Sequence, residues 1–329
     1  MKSSVTYIYR KPNPNYFSIE SLFHNVSKKV ALHSNIKVLK LHASGGNFRA
    51  LWSNLISFKR EKETLYHITG DVHYMALVTG KNSVLTIHDI GSALKGNFVK
   101  LLYIRLFWFW LPALFVKRIT VISEFTKNEL VTIIPFAKSK IRVINNPVDP
   151  KFKFDSYQFN EKDPTILFIG TKSNKNLERS FEAIKDITCK ALIVGKMTEK
   201  QIAILNKFEI EYENKNNLTF EEVVDCYRSC DLLCFASFYE GFGMPIIEAQ
   251  ATGRPVVTSD FGAMKEVSNK AACLVDPKNV NSIRNAILKV CQNRSYRQQL
   301  IEDGLENVKR FRSEAIANQY IELYKEVLT

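Results

Sequence analysis

Short, almost wholly apolar runs recur along the chain and alternate with longer amphipathic segments. In the first half these runs are Val5–Tyr9, Ile36–Leu41, Leu65–Ile68, Val84–His88, Ile119–Ile122 and Ile141–Ile144. Runs of this length, apolar nearly throughout, suit strands buried on both faces of a parallel sheet. Between them, Ile19–Ala31 and Phe125–Ile134 carry apolar residues at helical spacing. Asn145-Asn146-Pro147 stops this unit, and polar Lys151–Asp163 reads as a linker. The second half repeats the alternation. Strands are predicted at Ile166–Ile169, Ala191–Val194, Glu209–Tyr212, Leu232–Phe235 and Val256–Thr258, with helices at Phe220–Arg228 and Val280–Val290. A helical apolar stripe, Glu314–Leu328, ends the chain. The pattern predicts an α/β protein of two Rossmann-like, doubly wound domains, 1–150 and 151–311, with ligands at the carboxyl ends of the strands and a cleft between the two.

One stretch carries chemistry. In Phe238-Tyr-Glu-Gly-Phe-Gly-Met-Pro-Ile-Ile-Glu248, Glu240 and Glu248 flank a Gly-x-Gly turn that runs into Pro245. Glycine lets backbone amides approach a ligand, and proline suits the first helical turn. The amides of Gly243 and Met244, with a helix dipole behind them, would hold a diphosphate. Carboxylates beside phosphates repel them, so Glu240 and Glu248 suit hydroxyl groups, those of a sugar and of a ribose. Together these features describe a nucleotide-sugar site.

Glu-x7-Glu within Tyr239-Glu-Gly-Phe-Gly-Met-Pro245 resembles the signature of family 4 of the retaining glycosyltransferases, which have the GT-B fold. The resemblance continues through Glu248-Ala-Gln-Ala-Thr-Gly-Arg-Pro-Val-Val-Thr-Ser259. Upstream it takes in Thr120-Val-Ile-Ser-Glu-Phe-Thr126, Ile141-Arg-Val-Ile-Asn-Asn-Pro-Val-Asp149, Ile166-Leu-Phe-Ile-Gly170 and Lys175-Asn-Leu177. It implies GT-B architecture, with the helix in 312–329 crossing back to the first domain. It also implies that Lys175 points at the donor phosphates and that His88, after a predicted strand, lies near the donor sugar and the acceptor. Many relatives carry an arginine before that lysine, where this chain has Thr171-Lys172-Ser173-Asn174. Lys172 and, after Val194-Gly195, Lys196 are therefore further donor-binding candidates, though a lysine is a point charge and not a bidentate fork. His67 and His73 flank another such loop and are candidates for the acceptor side, while Asp89 reads as a cap. Where relatives have a glycine pair, the first loop reads Lys11-Pro-Asn-Pro-Asn-Tyr-Phe-Ser18, which leaves the acceptor open.

Composition adds a location. All of the +13 net charge lies in residues 1–150, and the second half is neutral. That asymmetry suggests an anionic partner: a membrane surface, a phosphorylated acceptor or nucleic acid. Leu101–Val116 is rich in Trp and Phe beside Lys and Arg. It fits either a shallow interfacial helix or a buried one, and its longest charge-free run is too short to span a bilayer. No signal peptide is visible at Met1. Six scattered cysteines indicate a reducing cytoplasm. Cys226, Cys230 and Cys234 read as small buried thiols and not as a metal ladder.

No Asp-x-Asp triplet occurs, which agrees with a metal-independent reaction and no cofactor beyond a UDP- or GDP-linked donor. The expectation is a retaining, hexosyltransferase-type enzyme of the cytoplasm, peripheral on the inner face of a bacterial membrane. It would serve surface polysaccharide or glycolipid assembly on a lipid-linked or other anionic glycan acceptor. Two rivals are a nucleotide-sugar 2-epimerase of the same architecture and a basic nucleic-acid-binding protein. The second lacks any recognition motif, so no nucleic-acid partner is expected.

Overall fold

The computed structural model describes residues 4–11, 18–44, 47–94 and 97–329. The chain forms two compact units, one of Met1–Pro147 with Ser313–Thr329 and one of Val148–Arg312. The unusual first loop lies mostly outside the described residues.

In the first unit six parallel strands, β1 (Ser4–Tyr9), β2 (Asn35–Lys40), β3 (Thr64–Ile68), β4 (Ser83–Ile87), β5 (Arg118–Val121) and β6 (Ile141–Val143), stand in the order β2-β1-β3-β4-β5-β6. Alternate residues of one strand feed opposite faces, as a pleat requires. Val5, Tyr7 and Tyr9 meet the helices Ser18–Val30 and Ser313–Leu328, while Ile8 joins the core on the other side. The terminal helix thus belongs to the first unit, where Tyr320, Leu323 and Tyr324 are buried. Its rim is tied down by Arg118 to Glu326 and by Lys29 to Glu314.

His67 is part of this core and not of a ligand loop. It is buried in β3, with Nδ1 2.5 Å from the Tyr324 hydroxyl and Nε2 2.7 Å from Thr86 Oγ1. Position alone misleads here, because a residue inside a strand faces the sheet and not the loop beyond its end.

The aromatic segment is a continuous helical stretch, Phe98–Ile104, Arg105–Trp110 and Leu111–Phe115, with a π-helical middle. By length and composition alone Phe98–Phe115, counted across Lys100 and Arg105, is apolar enough to cross a membrane, while the charge-free run Leu106–Val116 remains shorter than a bilayer needs. Its tryptophans are nonetheless fastened to the domain: Trp108 Nε1 donates to the Asp71 carbonyl at 2.8 Å and Trp110 Nε1 to that of Ile133 at 2.9 Å.

In the second unit β7 (Thr165–Ile169), β8 (Lys190–Val194), β9 (Glu211–Lys215), β10 (Leu232–Phe235), β11 (Val256–Ser259) and β12 (Cys273–Val275) are also all parallel, in the order β12-β11-β10-β7-β8-β9. The order reverses between β7 and β10, the point at which open α/β sheets leave a crevice for ligands. The expected strand Glu209–Tyr212 begins two residues late: Glu209 adopts φ 52° as the preceding helix ends. Lys151–Asp163 is a packed strap and no free linker. Buried Arg254 stacks on Tyr157 and donates to the Asp155 carbonyl, while Asp231 accepts from the Asn160 amide. All six cysteines are buried and unpaired.

Burial holds the His67 pKa down at about 3, against about 6.5 for an exposed ring. The unfolded chain therefore binds the proton first as pH falls, so the stability tied to a neutral His67 is complete above about pH 6.5 and is lost progressively below it. Chemical denaturation from pH 8 to 4 should show this decline, and His67→Gln should flatten it.

Candidate active site

The loops that follow β7 and β10 meet at the switch point of the second sheet. After β7, Gly170 adopts φ +84° and the chain enters a 3-10 turn, Ser173–Lys175. A Cβ at Gly170 would come within 2.8 Å of Lys175 Cε, so glycine is what lets the lysine stem pass. Buried Asn176 adopts the left-handed conformation and anchors the turn, donating from Nδ2 to the carbonyls of Ala236 and Pro277.

The turn delivers Lys175 to Glu240. Its Nζ donates to Glu240 Oε1 at 2.7 Å and lies 4.5 Å from the centre of the Phe235 ring. Asn174 Nδ2 donates to the same carboxylate oxygen at 3.1 Å and to the Tyr239 carbonyl at 3.0 Å. Both side chains of the ion pair are mostly shielded from solvent. Glu240 is therefore paired, where the sequence suggested a carboxylate awaiting hydroxyls alone.

Beyond Glu240 the chain turns through Gly243, at φ +104°, into the helix Met244–Ala251 with Pro245 in its first turn. The amides of Gly243 and Met244 stand at the start of that helix, where the helix itself supplies no acceptor. One turn on, Glu248 Oε2 accepts from the Tyr227 hydroxyl at 2.5 Å. Burial pushes the Glu248 carboxyl up to about 7, although Tyr227 and Lys175 both favour its charged form. Glu248 is thus a carboxyl poised between its two states near neutrality.

Lys172 and Lys196 stand at the margin of this group. Both side chains are exposed, and neither has an ion-pair partner among the described residues. Their loops touch, since Thr171 Oγ1 donates to the Lys196 carbonyl at 2.6 Å. Asn174 and Tyr227 were not singled out from sequence. Asn174 was legible as the neighbour of Lys175, whereas Tyr227 comes from the helix Phe220–Ser229 and no motif marks it.

His88 follows β4 in the first unit. Its Nε2 lies 3.0 Å from the Thr69 carbonyl, which can only accept, so Nε2 carries the hydrogen and Nδ1 is bare in the neutral ring. Burial lowers its pKa, which keeps it neutral at pH 7. His73 is likewise buried and donates from Nδ1 to the Trp108 carbonyl at 2.7 Å. It lines a cavity of about 530 Å³ with Asp71, Asp89, Tyr103 and Trp108. Asp89 caps, accepting from the Gly91 amide.

Residues 22–152 match the family described as Glycosyltransferase Family 4, and residues 149–307 match Glycosyl transferases group 1. The chain is a GT-B glycosyltransferase. An uncharacterized glycosyltransferase of Methanocaldococcus jannaschii is 27% identical over 263 residues, which is 77% of this chain and 71% of that protein. The O-antigen chain mannosyltransferase RfbU of Salmonella typhimurium is 29% identical over 223 residues, 64% of this chain and 62% of RfbU. The structure of Anabaena HepE in complex with UDP-glucose superposes with a TM-score of 0.76, at 14% identity, over 98% of this glycosyltransferase and 99% of HepE.

A carbon-detected NMR titration should find one glutamate carboxyl, Glu248, with a midpoint near 7. The unfolded value is lower, so this group favours the folded state at acidic pH and loses that contribution as pH rises through 7. Tyr227→Phe removes a donor to the charged form and should move the midpoint higher. A midpoint that stayed put or fell would show that the hydroxyl does not stabilise the carboxylate.

Proposed function

We propose that this glycosyltransferase moves a sugar, with retention of anomeric configuration, from a UDP- or GDP-linked donor to a hydroxyl of a lipid-linked or other anionic glycan. The carrying observation is the Lys175–Glu240 pair at the switch point, with Gly243, Met244 and Glu248 beyond it on the same loop and helix. In this reading the diphosphate takes Lys175, and the Gly243 and Met244 amides bind its remaining oxygens. Charge that builds on the leaving diphosphate is then met by fixed donors, the largest usual source of rate. Lys172 and Lys196 supply further positive charge at the rim, and no metal is required.

Glu240, released from the lysine, accepts hydroxyls of the transferring sugar near the reacting centre. Glu248 binds the ribose hydroxyls. His88, in the first unit, is assigned to a sugar or acceptor hydroxyl on the resemblance alone, through its bare Nδ1. The O-antigen role in the name of RfbU and the UDP-glucose bound to HepE support a nucleotide sugar and a surface-polysaccharide or glycolipid product. Such an acceptor places the reaction in the cytoplasm, on the inner face of the membrane. The basic first half of the chain then answers to the membrane or the acceptor and not to nucleic acid.

Three measurements test the assignment. Glu240→Gln removes a charge-assisted contact worth about 2 kcal/mol, or roughly thirtyfold in turnover at saturating donor. Lys175→Ala should raise the donor Kd by roughly ten- to a hundredfold in calorimetry. A chelator should leave transfer unchanged. Wild-type turnover in Glu240→Gln would remove that residue from the reacting centre, and abolition by chelator would contradict the metal-free reaction.

A further inference from the structure

The helix Phe48–Ser57 presents two unlike faces. Ala50, Leu51 and Asn54 are buried against the first unit. Phe48, Trp52 and Ile56, spaced four apart and so on one side, are 63%, 57% and 67% exposed. Phe48 and Trp52 stack with ring centres 6.1 Å apart. Beside the helix runs the sheet edge β2, whose Val38 is 52% exposed. Lys37 and Lys40 of β2 and Lys59 beyond the helix line a groove of about 390 Å³ between the two elements. Arg49, Arg60 and Lys62 are exposed on the same stretch of chain, where Glu61 pairs with Lys37 at 2.6 Å.

We propose that this face docks on an anionic lipid surface, with Phe48, Trp52 and Ile56 entering the interface and the surrounding lysines and arginines meeting lipid headgroups. This rests on the reading of a membrane-borne acceptor and adds the surface that reaches it. An apolar stripe ringed by cations is the composition of an interfacial helix. Aromatic rings settle at the boundary between headgroup and chain, while long basic stems reach outward to phosphate. A second copy of the chain would bring the same cations against these and be repelled. The net charge agrees, because the whole excess lies in the first 150 residues. The aromatic helical stretch fits this role less well, since both its tryptophans are hydrogen-bonded to the domain's own carbonyls.

That arrangement makes Trp52 the reporter: of the three tryptophans, it alone has a mostly exposed ring. The full chain is mixed with vesicles of phosphatidylcholine alone or with added phosphatidylglycerol, and binding is read by flotation and by tryptophan emission. The proposal expects binding only with the anionic lipid, weakening with salt, and a blue shift that Trp52→Phe abolishes. The triple variant Phe48→Ser, Trp52→Ser, Ile56→Ser should bind at least about tenfold more weakly, since each interfacial side chain contributes buried apolar area. Its melting temperature should be unchanged, because these side chains are already exposed. Undiminished binding by that variant would overturn the proposal, as would loss of binding only in Phe98→Ser, Val99→Ser. So would a dimer that the triple variant dissolves, or wild-type chain that ignores both vesicles. Calorimetry with UDP and GDP on the same samples reports the donor site separately. Failure there condemns the nucleotide-sugar reading and leaves the surface standing.

Discussion

A lysine and a carboxylate held 2.7 Å apart where β7 and β10 end set the terms for everything around them. Bringing Lys175 to that point needs Gly170, because any larger residue would collide with its stem. It needs Asn176 to hold the turn in a left-handed conformation that few residues adopt. Asn174 then donates to the same Glu240 oxygen and helps to fix it. Two mostly shielded opposite charges stabilise each other in the unliganded protein. In the proposed reaction a diphosphate takes over the lysine, and sugar hydroxyls the carboxylate. On that proposal the pair already holds a cation for phosphate and a carboxylate for hydroxyls.

Glu248 completes the logic through its environment. One oxygen is engaged by Tyr227, and burial raises its carboxyl to about 7, so the ribose proposed for this position would meet a group that can still take up charge. The two carboxylates of one short motif therefore occupy different settings, one ion-paired and one desolvated. That difference suits different roles for them.

Much of the fold was legible because buried parallel strands write themselves as continuous apolar runs. Leu232–Phe235 matched to the residue for that reason. The misses have physical causes. β9 was expected two residues early, because Glu211-Tyr-Glu-Asn-Lys215 is an edge strand with no fully buried residue, so no apolar run marks where its pairing starts. β12 has only three residues. His67 looked like a loop residue because its neighbours Thr69-Gly70-Asp71 are turn-formers, yet its ring sits in a buried hydrogen-bond chain with Tyr324 from the far end of the sequence. The helix Phe48–Ser57 went unread because its outer face is apolar too, which hides the periodicity of its inner one. At the site, the Glu-x7-Glu string located two carboxylates and a helix start. What local sequence could not show was the pairing of Glu240 with Lys175, which lies one strand of the sheet away.

The exchange of partners at Lys175 is open to direct measurement. Calorimetric titration of free UDP and GDP into the wild type and into Glu240→Gln compares the diphosphate's affinity with and without the competing carboxylate. If the diphosphate displaces Glu240 from Lys175, the variant should bind the preferred nucleotide at least as tightly as the wild type, even though its transfer rate falls. A weakening of more than about tenfold would mean that Glu240 assists the phosphates and does not yield to them, which would contradict the account.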